Sequence, residues 1–548
     1  MLKLQSIFTL IFVVVLYGFS IAQPEEKLSA AEYLAEQDYN HALEEYLKLY
    51  KSKKDDPDIN FNIGLCYLNI NDDKSKALPY FEFVYQKGSA KDKNELLFYL
   101  ARANTFAYKF DEAIKYFTEY RKTLNAKRYP EIDRYIENCE SAKILVKNPV
   151  NVTFENLGKE INSKFPDYYP FVTEDQSTLY YTTRREGRSQ KLRSWQGYFT
   201  SDVYFSKVQA GQWTKPKTIG TMINTAEDEQ CVYVSPNGRK MILYMDNELA
   251  TGDLFITEMG PKAKNFPKPV AMEAPINTAE LELEGCITED GSIMIISSDR
   301  LEGLGGTDLY IFRKLPTGKW GEGISLGPNI NTIYNESFPV FDEKNGVLYF
   351  ASEGHSNMGG SDIFKSKYDE ETQTFGPAVN MGYPINTPEE NLEFTLAGNK
   401  RDGYISAVRK EGFGDLDIYK VTFNDVEAQV SIIKGIVSTS DSTKKEIDAI
   451  ITLTDAKTNE KLDSKNVIPQ SGKYIFSAAP GKYIITVESP GYEAYKETIN
   501  VYDKSDFVFE IEKNIRILKP GEGPAVPVKG APPKPGTPQK PGTTPKKG

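Results

Sequence analysis

Between residues 151 and 423 the chain repeats itself, and the repeat restricts the folds open to it. A short apolar run closing on a tight polar turn occurs at 167–175, 228–238, 284–291 and 336–346. A second apolar run follows each time, at 178–181, 241–244, 293–296 and 347–350. Then come a loop, Gly-rich in most copies, and a third run that opens with an aspartate: Asp202, Asp253, Asp308, Asp362 and Asp417. Upstream of each unit stands an Ile-Asn-Ser/Thr marker, with Asn162, Asn224, Asn277, Asn331 and Asn386 at its centre.

Five asparagine markers thus match five aspartate markers, spaced by roughly 50 residues, close to the period of propeller blades. One such unit cannot bury both faces of its sheet, whereas a ring of units can, and the ring protects most strand edges. The fifth unit is degenerate: residues 392–396 and 403–407 stand for its first two strands. After residues 417–422 no fourth strand follows, so the run at 150–154, ahead of the first marker, is expected to close the ring. The reading is a closed five-bladed β-propeller. Six blades is the alternative if a further repeat is hidden in the longer first unit. The Asn and Asp markers are short polar side chains beside turns, expected to bond local backbone and fix the blade corners.

These units resemble WD40-like repeats of the TolB type. The matching residues are Ser235-Pro236-Asn237-Gly238, Ser298-Asp299-Arg300, Gly305-Gly306-Thr307-Asp308-Leu309-Tyr310 and Gly359-Gly360-Ser361-Asp362-Ile363-Phe364. The resemblance implies fold and not activity, because propellers host many activities.

At 548 residues the chain exceeds one core, and several domains are expected. Its formal net charge of −11 argues against a nucleic-acid binder, which needs a basic face. The start reads as a secretory signal: Lys3, an apolar core at 7–19 too short to span a bilayer comfortably, and the small-x-small site Ser20-Ile21-Ala22. No later segment is apolar enough to cross a membrane, so the expected location is the periplasm, with secretion or outer-membrane association as alternatives. The four cysteines, Cys66, Cys139, Cys231 and Cys286, form no CxxC pair. Cys231 and Cys286 hold equivalent strand positions and are expected to be small buried apolar residues.

From about residue 28 to 146 the apolar period is 3.6. Units at 39–46, 72–81 and 109–117 place Ala42, Ala77 and Ala113 where two helices approach, with Ala30, Gly64 and Ala101 facing them. The pattern resembles tetratricopeptide repeats near their 34-residue period, with a capping helix at 131–146. That resemblance implies a concave groove for a partner protein. Asn62, Asn69, Arg102 and Asn104 are its polar candidates.

Beyond residue 424, five short strands punctuated by turns at 455–459, 471–472, 480–481 and 490–491 imply a small β-sandwich. The Gly435, Gly472, Pro480-Gly481 and Gly491-Tyr492 pattern resembles the carboxypeptidase regulatory-like fold, a module without catalytic residues. From about Lys519 the chain is Pro, Gly, Lys and Thr, a composition that cannot fill a core. The expected fold class is therefore multidomain: a signal peptide (1–22), an all-α tetratricopeptide array (23–147), a five-bladed propeller (148–425), a β-sandwich (426–517) and a disordered basic tail (518–548).

Catalytic chemistry has no clear carrier. The two histidines are His41, at a helix start, and His355, in the loop between two strands of the fourth blade. Neither belongs to a recognisable metal set or nucleophile triad, and there is no P-loop, nucleophile elbow or dinucleotide fingerprint. Acidic runs at 227–229 and 280–284 imitate glycosidase carboxylates or a calcium site, but hydrolysis needs two acids facing each other across a cleft. No enzyme activity, metal or cofactor is expected.

The domain order resembles a family of Bacteroidetes-type cell-envelope proteins, and among them the PorE-type accessory proteins of the type IX secretion system. The resemblance implies a periplasmic scaffold whose partners are outer-membrane or periplasmic proteins of a secretion or gliding complex, with no nucleic acid. The OmpA-like domain of that family has no counterpart, so peptidoglycan contact does not carry over. The alternative is a propeller that binds a glycan or peptide beside an outer-membrane transporter, with a loop cluster such as Arg300 or His355 taking part.

Overall fold

The computed structural model describes residues 28–87, 93–187, 198–246, 252–424, 431–441, 443, 446–502 and 510–522. The expected signal segment at 1–22, and the tail beyond residue 522, lie outside the described residues. The chain divides into two compact units, with the boundary after Asn424.

The first unit is dominated by five antiparallel sheets among the described residues. Blade 1 is built on Asp167–Val172, Thr178–Thr183 and Asp202–Gln209, and blade 2 on Glu229–Val234, Lys240–Asp246 and Gly252–Glu258. Blade 3 uses Glu282–Ile287, Ile293–Ser298 and Asp308–Arg313, and blade 4 uses Glu336–Asp342, Val347–Ser352 and Asp362–Asp369. Two-residue outer strands complete these four. Blade 5 contains Thr395–Leu396, Asp402–Ala407 and Asp417–Phe423, and its outer strand is Val152–Asn156 from the start of the ring, in register from Val152 opposite Phe423 to Asn156 opposite Tyr419. The closure expected from the sequence is present. Second strands such as Val347–Ser352 are buried along their whole length, sandwiched between neighbouring blades, and so read as unbroken apolar runs.

One large core runs through blades 1 to 4, including Cys231, Leu243, Ile295, Phe312 and Phe350. A second joins blades 4 and 5 through Tyr349, Phe394, Ile405 and Tyr419. All four cysteines are buried and free.

The expected fold class needs correction at the helices. Seven α-helices occur among the described residues: α1 (Ala30–Ala35), α2 (Tyr39–Tyr50), α3 (Pro57–Asn69), α4 (Leu78–Lys87), α5 (Lys93–Phe106), α6 (Phe110–Arg121) and α7 (Tyr129–Lys147). They are confined to the first 150 or so residues of a β-rich propeller fold and do not make a tetratricopeptide array. The small-residue spacing that suggested an array only requires that helices approach closely in pairs. Here the last helices complete their core with the propeller: Met358 is fully buried among Ala101, Phe117, Cys139 and Ala142, and Tyr383 packs beside them. No described helix is long and apolar enough to cross a membrane.

Among its described residues the second unit holds two four-stranded sheets. One contains Ser431–Thr439, Lys473–Ala478, Glu510–Glu512 and Ile515–Ile517; the other contains Lys461–Asn466, Ile450–Asp455, Gly481–Glu488 and Tyr495–Val501. Ile433, Ile451, Phe476, Ile485 and Val487 form its core.

Candidate functional site

The repeated polar markers build the frame. Each marker asparagine brackets one residue of a third strand, accepting its N–H and donating to its carbonyl at 2.8–3.1 Å: Asn162 with Ile418, Asn224 with Val203, Asn277 with Leu254, Asn331 with Leu309 and Asn386 with Ile363. The Ser or Thr that follows donates its backbone N–H to a side chain four residues on: Asp167, Glu229, Glu282, Glu336 and, in blade 5, Asn391. Burial pushes the Glu229 and Glu336 carboxyls up to about 7. The acidic runs at 227–229 and 280–284 therefore supply corner acceptors.

Arg300 belongs to this frame. It is 7% exposed, donates to Pro275 O and Ile276 O, and lies over the rings of Tyr310 and Phe312. Arg409 repeats the arrangement in blade 5, donating to Pro384 O at 2.8 Å. Blade 4 has Gly354 in that register, and His355, one place further, meets Ile330 O at 2.9 Å. Burial lowers the His355 pKa, which favours the neutral ring.

The helices cover the propeller face at which the inner strands begin. Arg134 of α7 donates to the carbonyls of Glu353 and His355 and to Asn357 Oδ1. Asn138 Nδ2 donates to Gly359 O at 2.7 Å. Asn71 reaches Asp415, and Lys74 pairs with Glu389. Of the four helix candidates, only Arg102 reaches this seam, where it lines a cavity of about 120 Å³ with Lys74, Met358 and Glu390. Asn69 and Asn104 bond the carbonyls of Leu65 and Leu100 on their own helices, and Asn62 donates to Tyr46 Oη. The four do not converge. His355 lines a separate groove of about 610 Å³ between α7 and blade 4.

The opposite face is formed by the hairpins that join first and second strands. There a depression of about 120 Å³ draws on all five blades. Phe171, Tyr233, Phe341 and Leu396 supply apolar wall, while Glu174, Glu289, Glu343, Lys344 and Lys400 bring charge. Lys344 of blade 4 pairs with Glu174 of blade 1 at 2.6 Å, both half-exposed. Sequence reasoning missed this site because its residues come from five turns that only ring closure assembles.

Deeper on the axis lie Glu284 and Glu393. Burial pushes their carboxyls up to about 8 and about 7. Glu393 accepts the N–H of Tyr169 at 3.2 Å, and the backbone of Phe338 partly offsets the rise at Glu284. Among the described residues no group of three or more His, Cys, Asp or Glu side chains gathers as a metal site.

No protein-family model and no curated protein matches the chain. Among solved structures, TolB from Acinetobacter baumannii is similar at 12% identity, covering 53% of this chain and 70% of that one, with a TM-score of 0.31. A thermostable family-43 glycoside hydrolase is similar at 13% identity, covering 48% and 90%, with a TM-score of 0.31. The catalytic domain of an α-L-arabinofuranosidase from Coprinopsis cinerea is similar at 11% identity, covering 50% and 98%, also at 0.31. Likenesses this distant leave the activity of the chain open.

Proposed function

We propose that this chain is a non-enzymatic binding scaffold of the cell envelope, and that its propeller engages a protein partner through the hairpin face. One observation carries the reading: the axial depression is apolar-walled, charge-rimmed and about 120 Å³ in volume. Small-molecule sites run to about 300–1,000 Å³, so this one suits a single anchoring side chain from a protein surface. The buried carboxylates on the axis support the same reading. Glu284 and Glu393 are each only 6% exposed, and Glu393 accepts a backbone N–H, whereas glycosidase acids must face substrate across an open cleft. The finer assignment, an accessory component of type IX secretion or gliding machinery in the periplasm, is part of this proposal and rests on the sequence resemblance.

The test is cross-linking in intact cells followed by purification of the chain. The expected result is a stoichiometric envelope protein that is lost when Lys344→Glu reverses the charge of that rim residue. Turnover of a glycan by the purified chain, or its retention on cell-wall glycan with no protein partner, would overturn the scaffold.

A further inference from the structure

The loop between second and third strands has one register in three blades. Counting back from the third-strand aspartate, Leu304 in blade 3, Met358 in blade 4 and Phe413 in blade 5 are equivalent. The same clamp holds all three, because each donates its backbone N–H to that aspartate: Leu304 to Asp308, Met358 to Asp362 and Phe413 to Asp417. The glycines that follow press onto the next connector. A Cβ on Gly359 would lie 2.5 Å from Thr387 O, and one on Gly305 would lie 1.8 Å from Tyr334 O.

What covers these equivalent positions differs. Met358 is 0% exposed, inserted among Ala101, Phe117, Cys139 and Ala142 of the helices. Leu304 is 55% exposed, and two large aliphatic residues accompany it: Leu301, three places earlier at 72%, and Ile333, on the connector that Gly305 touches, at 74%. Exposed aliphatic side chains gathered on one loop and on the connector it touches mark contact surfaces. The patch also continues an existing interface, since Tyr334, next to Ile333, lies under the Arg134 guanidinium of α7 at 5.1 Å.

We infer that Leu304, with Leu301 and Ile333, is the docking site for an amphipathic helix of a partner protein, seated on blade 3 as α7 is seated on blade 4. The inference rests on the protein-binding reading above and adds a second surface, on the other face of the ring. The chemistry of the partner helix follows from α7. Arg134, Asn138, Cys139 and Ala142 share one helical face, combining two donors a turn apart with a notch of small residues. The donors meet the carbonyls of Glu353, His355 and Gly359. The equivalent carbonyls in blade 3 belong to Asp299, Leu301 and Gly305. A fitting helix therefore carries Arg and Asn, or similar donors, one turn apart and an Ala- or Cys-lined notch for Leu304. A second copy of this chain does not supply it, because α7 already buries Cys139 and Ala142 against its own Met358.

The probe is a helix-constrained, fluorescein-labelled peptide of the α7 sequence, residues 129–147, titrated with the full chain and followed by anisotropy. Saturable one-to-one binding is expected, weakened at least about tenfold by Leu304→Asp, since losing a buried anchor of this size is worth more than 1.4 kcal/mol. Replacing the peptide's Arg134 and Asn138 by Ala should weaken it similarly. Val270→Asp, on an exposed outer strand of blade 2, should leave it unchanged. Absence of saturable binding, or binding indifferent to Leu304→Asp, overturns the inference. Co-purification from cells separates the two readings. A partner recovered equally with wild type and Leu304→Asp overturns this site while the scaffold stands; no stoichiometric partner with wild type overturns both.

Discussion

Tyr169 of blade 1 and Phe338 of blade 4 meet across the propeller axis with ring centroids 5.3 Å apart. Both occupy inner-strand bulges, at φ of +54° and +51°, a region that costs an L-residue about 1–2 kcal/mol. A carboxyl of the preceding blade stands behind each one: Glu393 accepts the N–H of Tyr169, and Glu284 lies beside the backbone of Phe338. Replacing Phe338 by Ala removes the ring but keeps the backbone cost; replacing it by Gly removes both. Phe338→Ala should therefore lose about 2 kcal/mol, less than a fully buried Phe would, and Phe338→Gly should be the more stable of the two. Urea denaturation gives the order, and a less stable Gly variant would show that the bulge is not strained.

The carboxyls behind these bulges, with two more at the blade corners, make stability depend on pH. Burial raises Glu284 to about 8, and Glu393, Glu229 and Glu336 to about 7, all from an ordinary value of 4.5. Between 4.5 and 8 the folded chain holds protons that the unfolded chain has released, so stability falls as pH rises through that window. The melting temperature should drop by several degrees from pH 5 to pH 8.5, each lost kcal/mol being worth about 2–4 °C in a domain of 150–250 residues. Glu284→Gln keeps an acceptor without a charge and should flatten the profile. An unchanged slope in that variant would remove Glu284 from the account.

Asn331 is 1% exposed and satisfies both the N–H and the carbonyl of Leu309, each at 2.9 Å. Asn331→Ala leaves two buried backbone groups without partners, at about 1–3 kcal/mol each. A loss of about 2–6 kcal/mol is expected by chemical denaturation. Asn331→Asp should be nearly as damaging, because a carboxylate can accept from the N–H but repels the carbonyl.

Such corners were legible in the sequence because they recur: five Asn and five Asp at one spacing announce a ring. The closing strand, Val152–Asn156, was legible because the last unit lacked a partner. The helical docking was not. Arg134 and Asn138 find their acceptors some 220 residues away, and no local pattern announces such contacts. Small residues spaced along helices therefore suggested an array with its own groove, where the propeller in fact completes the helical core. Arg300 and His355 were candidates for a ligand-binding loop cluster; both bond connector carbonyls, a role visible only once blades are superposed.

Because Met358 is the knob inside the helical core, Met358→Ala should cost about 2–5 kcal/mol. The loss should fall on the seam rather than on the ring. Amides of α5 to α7 should exchange faster with deuterium, while those of Ile293–Ser298 in blade 3 keep their protection. Uniform loss of protection in both regions would mean that helices and propeller unfold as one cooperative body.

The pair Lys344–Glu174 spans two non-adjacent blades at the mouth of the axial depression. Both side chains are about half-exposed, so solvent screens the pair and its contribution to stability is about 0–1 kcal/mol. Lys344→Glu should leave the melting temperature within about 2–4 °C of wild type. Its effect on a partner held at this face should be larger, because it tips the rim toward acid, leaving Lys400 as the remaining lysine beside Glu174, Glu289 and Glu343. Steering by rim charge acts mainly on association and weakens with salt. The expected outcome is a slower association rate for the variant, with the difference from wild type narrowing as salt rises from 50 to 500 mM. Equal rates at every salt concentration would place the partner elsewhere on the ring.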